Sequence, residues 1–458
     1  MSSHSEGKRL SFHAFTQFGW PDGNEGLWCH PELVPPRTPI ELNGWIKLAQ
    51  IAEQGCLDTL FLADAMGMGG FQPGDTEVET RAGRTLLYDP ATVIPVLAHA
   101  TEQLGFVFTN SILQDHPFTF ARRISTLDHL TGGRVGWNIV TSYSPNVARN
   151  FGFDDLPARA ERYRWAQEYV EVGFKLWEGS WEDGAVVADR ERGIYVDPSR
   201  VHTVDHHGER YRVQGPHLSD PTPQRTPLLV QAGGSPAGRA FAARNAELQF
   251  VSAASPDHLS ELIADVRRQA AAVGRQADDI RFVLSQRFIV GSTEREARLK
   301  MQERDEALDW DEVAAYLQSE TGIDISGHGP DAAVNELLQG EAQGMQGVVE
   351  SLVRDMPSNR PATVRDVLHS WVHRGEIVGT PEQIADELSL WQAAGVGGVA
   401  VGLPNRIGSL QEFVDYVIPE LQSRGMAQSE YAPGSLRQKL MGYGDRLPKR
   451  HPAAVYRH

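Results

Sequence analysis

Short apolar runs alternate with longer amphipathic stretches along most of the chain. Several runs are nearly continuous in apolar residues, which is typical of strands buried on both faces of a parallel sheet. Eight of them are predicted as strands: Leu10–Phe15, Thr59–Leu62, Leu104–Thr109, Val135–Val140, Leu228–Ala232, Leu248–Ser252, Ile280–Val290 and Gly398–Val401. Prolines at the first helical position predict helix starts between these strands, at Pro90, Pro117, Pro236 and Pro381.

This alternation indicates an α/β fold built on a parallel sheet. Eight strands are the number that closes a (β/α)8 TIM barrel. An open doubly wound sheet is the alternative, but it normally carries a glycine-rich phosphate turn after its first strand. Here the first strand is followed by TQFGWP, residues 16–21, which is not such a turn. We therefore predict one TIM-barrel domain over residues 1–458.

Three stretches depart from the alternation. Residues 178–227 are rich in Asp, Arg, His, Gly and Pro, and residues 302–375 combine helical patterns with loops. Long irregular stretches in a compact domain are usually functional. Both are predicted as insertions at the C-terminal mouth of the barrel, where active sites of such barrels are built. Residues 422–458 are predicted to form an arm that packs on the barrel or on a neighbouring subunit.

Composition narrows the class of protein. Sixty acidic residues against 43 Lys plus Arg give a net charge of −17, whereas proteins that bind nucleic acids carry a basic stripe and anionic membranes attract polybasic segments. No apolar run approaches the roughly 20 residues that span a bilayer. Two cysteines, Cys29 and Cys56, do not make a disulfide framework. We expect a cytoplasmic protein that binds neither nucleic acid nor membrane.

Polar residues at the ends of successive strands are candidates for ligand binding. Asp64 directly follows the second strand, Thr109 ends the third, and Asn138 lies inside the apolar fourth strand. Such residues at a barrel mouth offer donors and acceptors to a flat heterocycle, although Asp and Thr also serve as ordinary caps and turns. Asn138 is the stronger signal, because an amide buried within a strand needs a partner.

A second group of residues has the chemistry of a phosphate site. The segment GGSPAG, residues 233–238, follows a strand and opens a helix, so Gly234 allows close backbone approach and Ser235 adds a hydroxyl. Turn geometry alone also explains two glycines. Basic and phenolic side chains lie just before the predicted helix Trp165–Trp177: Arg159, Arg162, Tyr163 and Arg164. They could neutralise a phosphate, or they could simply form the solvated start of that helix.

Other catalytic chemistries find little support in the sequence. The segment with His202, Asp205, His206 and His207 invites a metal site, but adjacent histidines on an extended segment point to opposite faces. We therefore expect no metal. No Gly-x-Ser-x-Gly elbow occurs, and neither cysteine has a pattern that marks a nucleophile. No catalytic residue is assigned.

Together these segments resemble the bacterial luciferase-like flavin monooxygenases, most closely the branch with nitrilotriacetate, EDTA and dibenzothiophene-sulfone monooxygenases. The match runs through most of the chain in the same order. Its most specific part is TGGRVGWNIVTS followed by ARNFGF. The matching stretches are Leu57–Asp64 (LDTLFLAD), Thr126–Ser142 (TLDHLTGGRVGWNIVTS), Ala148–Phe153 (ARNFGF), Arg162–Tyr163, Val204–Gly208 (VDHHG), Leu229–Gly238 (LVQAGGSPAG) and Gly379–Leu388 (GTPEQIADEL).

The resemblance implies a barrel that binds FMN at its C-terminal mouth. The positions that match flavin contacts in the family are Asp64, Thr109, Asn138, Tyr163 and Ser235. Arg159 stands where relatives often carry a histidine four residues before the tyrosine. Glu320 and Glu25 replace histidines that face substrate in sulfone-oxidising relatives, so an aromatic sulfone is not the expected substrate.

The resemblance implies a two-component monooxygenase. A separate NAD(P)H:flavin reductase would supply FMNH2, which reacts with O2 to a flavin (hydro)peroxide that oxygenates a small organic substrate, expected to be a xenobiotic or to carry C–S, C–N or C–halogen bonds. Phe61, Trp137 and Phe250 are candidate pocket walls, and a homodimer or homotetramer is expected. A deazaflavin-dependent oxidoreductase on the same barrel is the first alternative, and a metal-dependent hydrolase using His206 or His207 the second.

Overall fold

The computed structural model describes residues 9–19, 27–30, 40–67, 80, 86–253, 255–325, 327–334, 352, 356, 359–404 and 406–458. Its strands are β1 Ser11–Gln17, β2 Thr59–Ala63, β3 Gly105–Ser111, β4 Val135–Val140, β5 Val186–Asp189, β6 Ile194–Val196, β7 His206–His207, β8 Arg212–Val213, β9 Leu228–Gln231, β10 Leu248–Val251, β11 Arg281–Val290, β12 Glu376–Gly379 and β13 Gly398–Gly402.

Eight parallel strands close a barrel in the order β1, β2, β3, β4, β9, β10, β11 and β13. Two pairings complete the barrel. β13 pairs with β1, with Ser11 opposite Gly398, and β10 pairs with β11, with Leu248 opposite Arg281. Every predicted strand contributes to this barrel, so the predicted TIM-barrel fold is confirmed.

Helices connect the strands and cover the barrel. They begin as predicted at Pro90, Pro117, Pro236 and Pro381, and in each case the preceding side chain caps the helix by accepting a backbone N–H. The described helices are α1 Leu42–Gln54, α2 Pro90–His99, α3 Pro117–Leu130, α4 Pro145–Asn150, α5 Arg159–Phe174, α6 Pro236–Asn245, α7 Pro256–Ala272, α8 Glu294–Ala307, α9 Trp310–Thr321, α10 Val364–His373, α11 Pro381–Ala393, α12 Arg406–Glu412, α13 Ile418–Ser423 and α14 Leu436–Met441.

The barrel strands separate two hydrophobic cores. Because side chains of a strand alternate between its faces, Trp137 and Ile139 pack outward in the large core between strands and helices. Val107 and Val230 face inward and belong to a smaller core inside the barrel. Asn138 lies between two outward-facing residues of β4, so its side chain is on the inner face.

The C-terminal arm closes the amino end of this barrel. Leu436 and Leu440 of α14 belong to the inner core, and the Leu440 carbonyl accepts from Arg281, the first residue of β11, at 2.6 Å. Arg437 and Glu247 form an ion pair in which both side chains are 0% exposed. The arm predicted for residues 422–458 therefore packs on the barrel of its own chain.

The predicted placement of the first insertion, residues 178–227, is wrong. This segment connects α5 to β9, and in a TIM barrel the connection from a helix to the next strand lies at the amino end. Consistent with this, Glu178 accepts from Arg457 of the arm at 2.6 Å, and Gln224 donates to the carbonyl of Val135, the first residue of β4, at 2.8 Å. The insertion does not begin or end at the mouth.

The second insertion, residues 302–375, follows β11 and is therefore on the side of the mouth. It has a hydrophobic core of its own, which includes Val313, Leu317, Val367 and Trp371. β12 follows it and pairs with the distal half of β11 outside the barrel. In the described part of the chain, no helix has the length and apolar character needed to cross a membrane.

Candidate functional site

Two polar side chains meet on the inner face of the barrel near its carboxyl end. The Asn138 Nδ2 donates to the Thr109 Oγ1 at 2.9 Å, and each residue is 5% exposed. The Asn138 Oδ1 is buried without a hydrogen-bond partner. A buried polar atom in this state costs about 1–3 kcal/mol. The oxygen is therefore suited to accept an N–H from a bound ligand.

Asp64 lies at the same end of the barrel, directly after β2. Its Oδ1 accepts from the Ala65 N–H at 2.9 Å. Burial raises the pKa of Asp64 to about 7; the Ala65 N–H opposes this rise, and the Asp89 carboxylate adds to it. A carboxyl group with this pKa takes up or releases a proton near neutral pH, as groups in functional sites often do.

We expect the Asp64→Asn variant to gain stability over the parent as the pH rises. Between the pKa of the unfolded state, 3.8, and that of the folded state, about 7, the Asp64 carboxyl is protonated in the folded protein but ionised in the unfolded one. A rise in pH through this range therefore favours the unfolded state and lowers the free energy of unfolding. The variant does not titrate. Between pH 5 and pH 8 its advantage should grow by about 1–3 kcal/mol, measured as the difference in unfolding temperature.

A constant difference across this pH range would contradict the raised pKa of Asp64. Asp89 supplies the matched control, because it lies at the same end of the barrel and its carboxylate caps α2 through the Ala91 N–H. Asparagine caps a helix about as well as aspartate, so Asp89→Asn should change the stability little. It removes only the smaller contribution of Asp89 to the raised pKa of Asp64, so its advantage should grow much less between pH 5 and pH 8.

Three phenylalanines from three strands form an aromatic cluster inside the barrel. The ring centroids of Phe15 and Phe61 are 5.2 Å apart, and those of Phe61 and Phe250 are 4.9 Å apart. Phe250 is only partly buried. Phe61 and Phe250 therefore lie on the inner face, and their role as pocket walls stays a prediction.

Trp137 does not share this location. Its ring packs against Phe120 and Tyr169, at centroid distances of 4.5 and 5.7 Å, and both partners are on helices. Its Nε1 donates to the Asn110 carbonyl at 2.9 Å. The strand alternation that turns Asn138 inward turns Trp137 outward, so its prediction as a pocket wall is wrong.

Arg159, Arg162 and Tyr163 lie in the first turns of α5, not before the helix as the sequence predicts. Arg162 is 6% exposed, and its guanidinium donates to backbone carbonyls, including that of Thr141 at 3.3 Å and that of Ser142. Burial, with a smaller contribution from the neighbouring Arg159, lowers the pKa of Arg162 to about 10. In the described part of the chain no carboxylate pairs with Arg162, so this corner is electropositive.

The glycine-rich turn before α6 fits closely against the Tyr163 hydroxyl. A Cβ at Gly233 would lie 2.1 Å from the Tyr163 oxygen, and one at Gly238 would lie 2.7 Å from it. A Cβ at Gly234 would meet nothing within 4 Å. The Ser235 Oγ caps α6 by accepting from the Gly238 N–H at 3.2 Å. This turn therefore presents open backbone and a helix N-terminus beside the start of α5.

Glu320 reaches the mouth from the second insertion. Its Oε2 accepts from the Tyr143 hydroxyl at 2.8 Å, and Tyr143 lies three residues beyond the end of β4. The contact brings α9 to the exit of the strand that carries Asn138. Glu25, the other expected substrate-facing residue, lies outside the described residues.

Sequence reasoning did not select Gln231. Its Nε2 donates to the Tyr163 hydroxyl at 3.2 Å, and its Oε1 is buried without a partner. An amide at the end of an apolar strand is the same signal that selects Asn138. No local sequence pattern indicates that Arg162 is buried. Its guanidinium donates to the carbonyl of Ser142, a non-glycine residue with φ of 61°, and the sequence does not predict this turn.

The histidines of the first insertion do not share a ligand set. His206 Nε2 lies 3.3 Å from Glu168 Oε1, whereas His202 Nε2 lies 2.8 Å from Glu182 Oε1. They belong to two separate pairs on the outside of the barrel. A metal-dependent hydrolase built on His206 gains no support from this arrangement.

Comparison with known proteins identifies the family. The profile of the luciferase-like monooxygenases matches residues 11–398. The chain belongs to this family. It is 40% identical to the dimethyl-sulfide monooxygenase of Hyphomicrobium sulfonivorans over 98% of this chain and 94% of that relative. It is 39% identical to the long-chain alkane monooxygenase of Geobacillus thermodenitrificans (strain NG80-2) over 98% of both chains.

A solved structure of another protein is also similar to this chain. The crystal structure of riboflavin lyase with modified FMN and substrate riboflavin superposes with a TM-score of 0.85 at 34% identity, covering 98% of this chain and all of that one. The predicted resemblance and the assignment as a monooxygenase are confirmed.

The residues present fit a flavin mononucleotide. The unpaired Asn138 oxygen faces the barrel interior and suits an N–H of a heterocycle, while Phe61 and Phe250 offer apolar surface beside it. The open backbone at Gly234 and the positive charge of Arg162 suit a phosphate group. These two sets of groups lie at the same end of the barrel.

Proposed function

We propose that this protein is an FMNH2- and O2-dependent monooxygenase that acts on a small organic molecule. The observation that carries this proposal is the anion site between α5 and α6. This corner holds the Arg162 guanidinium, which has no carboxylate partner in the described part of the chain, together with the Tyr163 hydroxyl and the N-terminus of α6 at Ser235. Such a corner stabilises a dianionic phosphate, which FMN carries and riboflavin lacks.

The two ends of FMN would have different binding residues. Arg159, Tyr163, Gly234 and Ser235 would bind the phosphate, and Arg162 would add charge and hold the turn at Ser142 in place. The ring-binding residues would be Asp64, Thr109 and Asn138. Reduced FMN, when bound, supplies the electrons for the activation of O2, so the protein contributes position, charge and exclusion of water.

The remaining residues of the mouth would control the reaction environment. Phe61 and Phe250 provide apolar surface that keeps water from the ring. Asp64, with its pKa near 7, would hold or release a proton beside the flavin. Glu320, held by Tyr143, would line the substrate side of the pocket.

The partners follow from the same proposal. A relative that is 33% identical over 91% of this chain is named nitrilotriacetate monooxygenase component A, and by the same division of labour a separate NAD(P)H:flavin reductase would supply FMNH2. The substrate would be a small organic molecule, such as a xenobiotic with a C–S, C–N or C–halogen bond. The dimethyl-sulfide and long-chain alkane monooxygenases, which are similar to this chain, are named for uncharged substrates. We further propose a homodimer or homotetramer.

A substrate screen tests this function. The purified chain is combined with a generic flavin reductase, FMN, NADH and O2, and each candidate substrate is followed by mass spectrometry. We expect a product heavier by one oxygen atom, or a fragment where oxygenation breaks a C–S, C–N or C–halogen bond. If a broad panel gives only H2O2 at the rate of the reductase alone, the proposal is contradicted.

We expect Ser235→Ala and Arg159→Ala to weaken FMN binding much more than riboflavin binding. Each removes a group assigned to the phosphate, and a hydrogen bond to a charged group contributes about 1.5–3 kcal/mol, or about 10- to 100-fold in Kd. The measurement is a fluorescence titration of both ligands. Arg164→Ala is the matched control on the same helix, because its exposed side chain pairs with Glu161 and Glu209. Equal losses for both ligands would remove the phosphate assignment.

A further inference from the structure

A cluster of ligand-type side chains lies away from the mouth, where the second insertion begins and ends. Asp305 is near the end of α8, and His369 and His373 lie one turn apart on α10. One potential ligand atom from each of these residues lies within 4.8 Å of the others. Histidines at i and i+4 on one helix face are a recurrent metal-binding arrangement.

Two of the three groups already have the spacing of metal ligands. The Asp305 Oδ2 and the His373 Nε2 are 3.1 Å apart. In a tetrahedral site with bonds of about 2.0–2.1 Å, ligand atoms lie roughly 3.3 Å apart. The His369 ring is nearly parallel to the His373 ring, with an interplanar angle of 9°. Because His369 is exposed, rotation of its side chain can complete the set.

The surrounding groups orient these ligands as partners do in metal sites. The His373 Nδ1 lies 2.8 Å from the Glu376 Oε2, which leaves the Nε2 directed toward Asp305. A carboxylate on the second nitrogen of a ligating histidine is the usual arrangement around zinc. Arg304 donates to the Asp305 Oδ1 at 2.6 Å, so the Oδ2 is the atom left for an ion.

We propose that Asp305, His369 and His373 form a binding site for a divalent transition-metal ion of the zinc type. Two imidazoles and one carboxylate suit Zn²⁺, Ni²⁺ or Cu²⁺, whereas Mg²⁺ and Ca²⁺ favour sets made of oxygen alone. Water would complete the coordination on the exposed side.

The site would fasten the second insertion at its base. Asp305 precedes α9 and His373 ends α10, so one ion would join the two ends of the segment that carries Glu320 to the mouth. An ion that binds the folded state alone stabilises it in proportion to its concentration over Kd. The inferred role is structural and does not depend on the proposed flavin chemistry.

The test uses the full chain without a purification tag, stripped with EDTA and then titrated with Zn²⁺ against a chromophoric chelator. We expect one ion per chain and a higher unfolding temperature with Zn²⁺. Loss of an outer partner of a metal site costs about 10- to 100-fold in affinity, so loss of a ligand in His369→Ala should cost about 100-fold. His328→Ala, a change of an exposed histidine in the same insertion, should leave both readings unchanged.

The variants also separate a metal site from a plain ion-pair network. His369 makes ring contacts with Trp310 and His373, and the unfolding temperature of His369→Ala in EDTA shows whether its loss harms folding. Asp305→Asn provides a second test, since it removes a ligand charge while keeping the size of the side chain. Zinc binding that is absent, or equally strong in the parent and in His369→Ala, would overturn the proposal.

Discussion

Replacing Arg437 by alanine is expected to lower the free energy of unfolding by about 3–5 kcal/mol, the cost of leaving one partner of a buried ion pair alone. The Arg437 guanidinium donates to both carboxylate oxygens of Glu247, at 2.7 and 2.9 Å. It also donates to the carbonyls of Gln224 and Pro227, at 3.1 and 2.8 Å. One side chain thus joins α14 to the amino ends of β9 and β10.

The charge left behind explains the size of this effect. Burial would raise the pKa of Glu247, but the Arg437 guanidinium outweighs it and holds the pKa below its usual range. Without that partner the carboxylate stays in the same buried position, with the Tyr443 hydroxyl and the Leu229 N–H as its remaining donors. Denaturant unfolding of both proteins at neutral pH measures the loss.

Two further variants give this measurement its controls. Arg298→Ala removes a solvent-exposed pair with Glu294 on α8, and exposed pairs contribute little to stability. The double variant Arg437→Met with Glu247→Gln removes both charges, and should be more stable than Arg437→Ala. An Arg437→Ala protein as stable as Arg298→Ala would show that the arm does not hold the amino end of the barrel.

Replacing Asn138 by leucine is expected to weaken flavin binding by about 10- to 100-fold while leaving the unfolding temperature of the flavin-free protein nearly unchanged. Leucine has the same number and branching of side-chain heavy atoms as asparagine, although its methyl groups are larger, and the inner face at the carboxyl end of β4 is expected to accommodate them. The change removes the oxygen that is buried without a partner, whose interaction with a ligand N–H is worth about 1–3 kcal/mol. It also removes the donor to Thr109.

The measurements are the unfolding temperature without flavin, the Kd of reduced FMN, and the fraction of O2 released as H2O2 during turnover. That fraction should rise, because a poorly held flavin reacts without delivering oxygen to substrate. Thr109→Val is the comparison variant: Thr109 is also assigned to the ring, but this change removes only the acceptor of the Asn138 amide and leaves the unpaired oxygen in place, so flavin binding should weaken less than in Asn138→Leu. A variant with unchanged flavin affinity and a large loss of stability would identify Asn138 as a structural amide of the barrel.

The barrel itself was predictable because its strands are short, nearly continuous apolar runs and its helices begin at capped prolines. Because neighbouring side chains of a strand point to opposite faces, Asn138 and Trp137 cannot both face the inside of the barrel. The position of residues 178–227 followed from connectivity rather than composition. A segment that follows a helix returns to the amino end of a barrel, whatever its content of Gly, Pro and His.

Other features depend on contacts between distant residues, which no local pattern reports. Arg162 and Arg164 are indistinguishable in the sequence, yet one is buried under the turn at Ser142 and the other is solvated. Arg437 lies in a polar arm without periodicity and becomes fully buried only because Glu247 lies beneath it. Asp305 and His373 lie in contact although they are 68 positions apart in the sequence.

The mouth of this barrel is proposed to bind reduced FMN through both its ring and its phosphate. An anaerobic titration of the purified chain with FMNH2, reduced riboflavin and a reduced deazaflavin, followed by tryptophan fluorescence, tests it most directly. We expect saturation at one FMNH2 per chain, with a lower Kd than for either of the other ligands. No binding of FMNH2, or tighter binding of the deazaflavin, would contradict it.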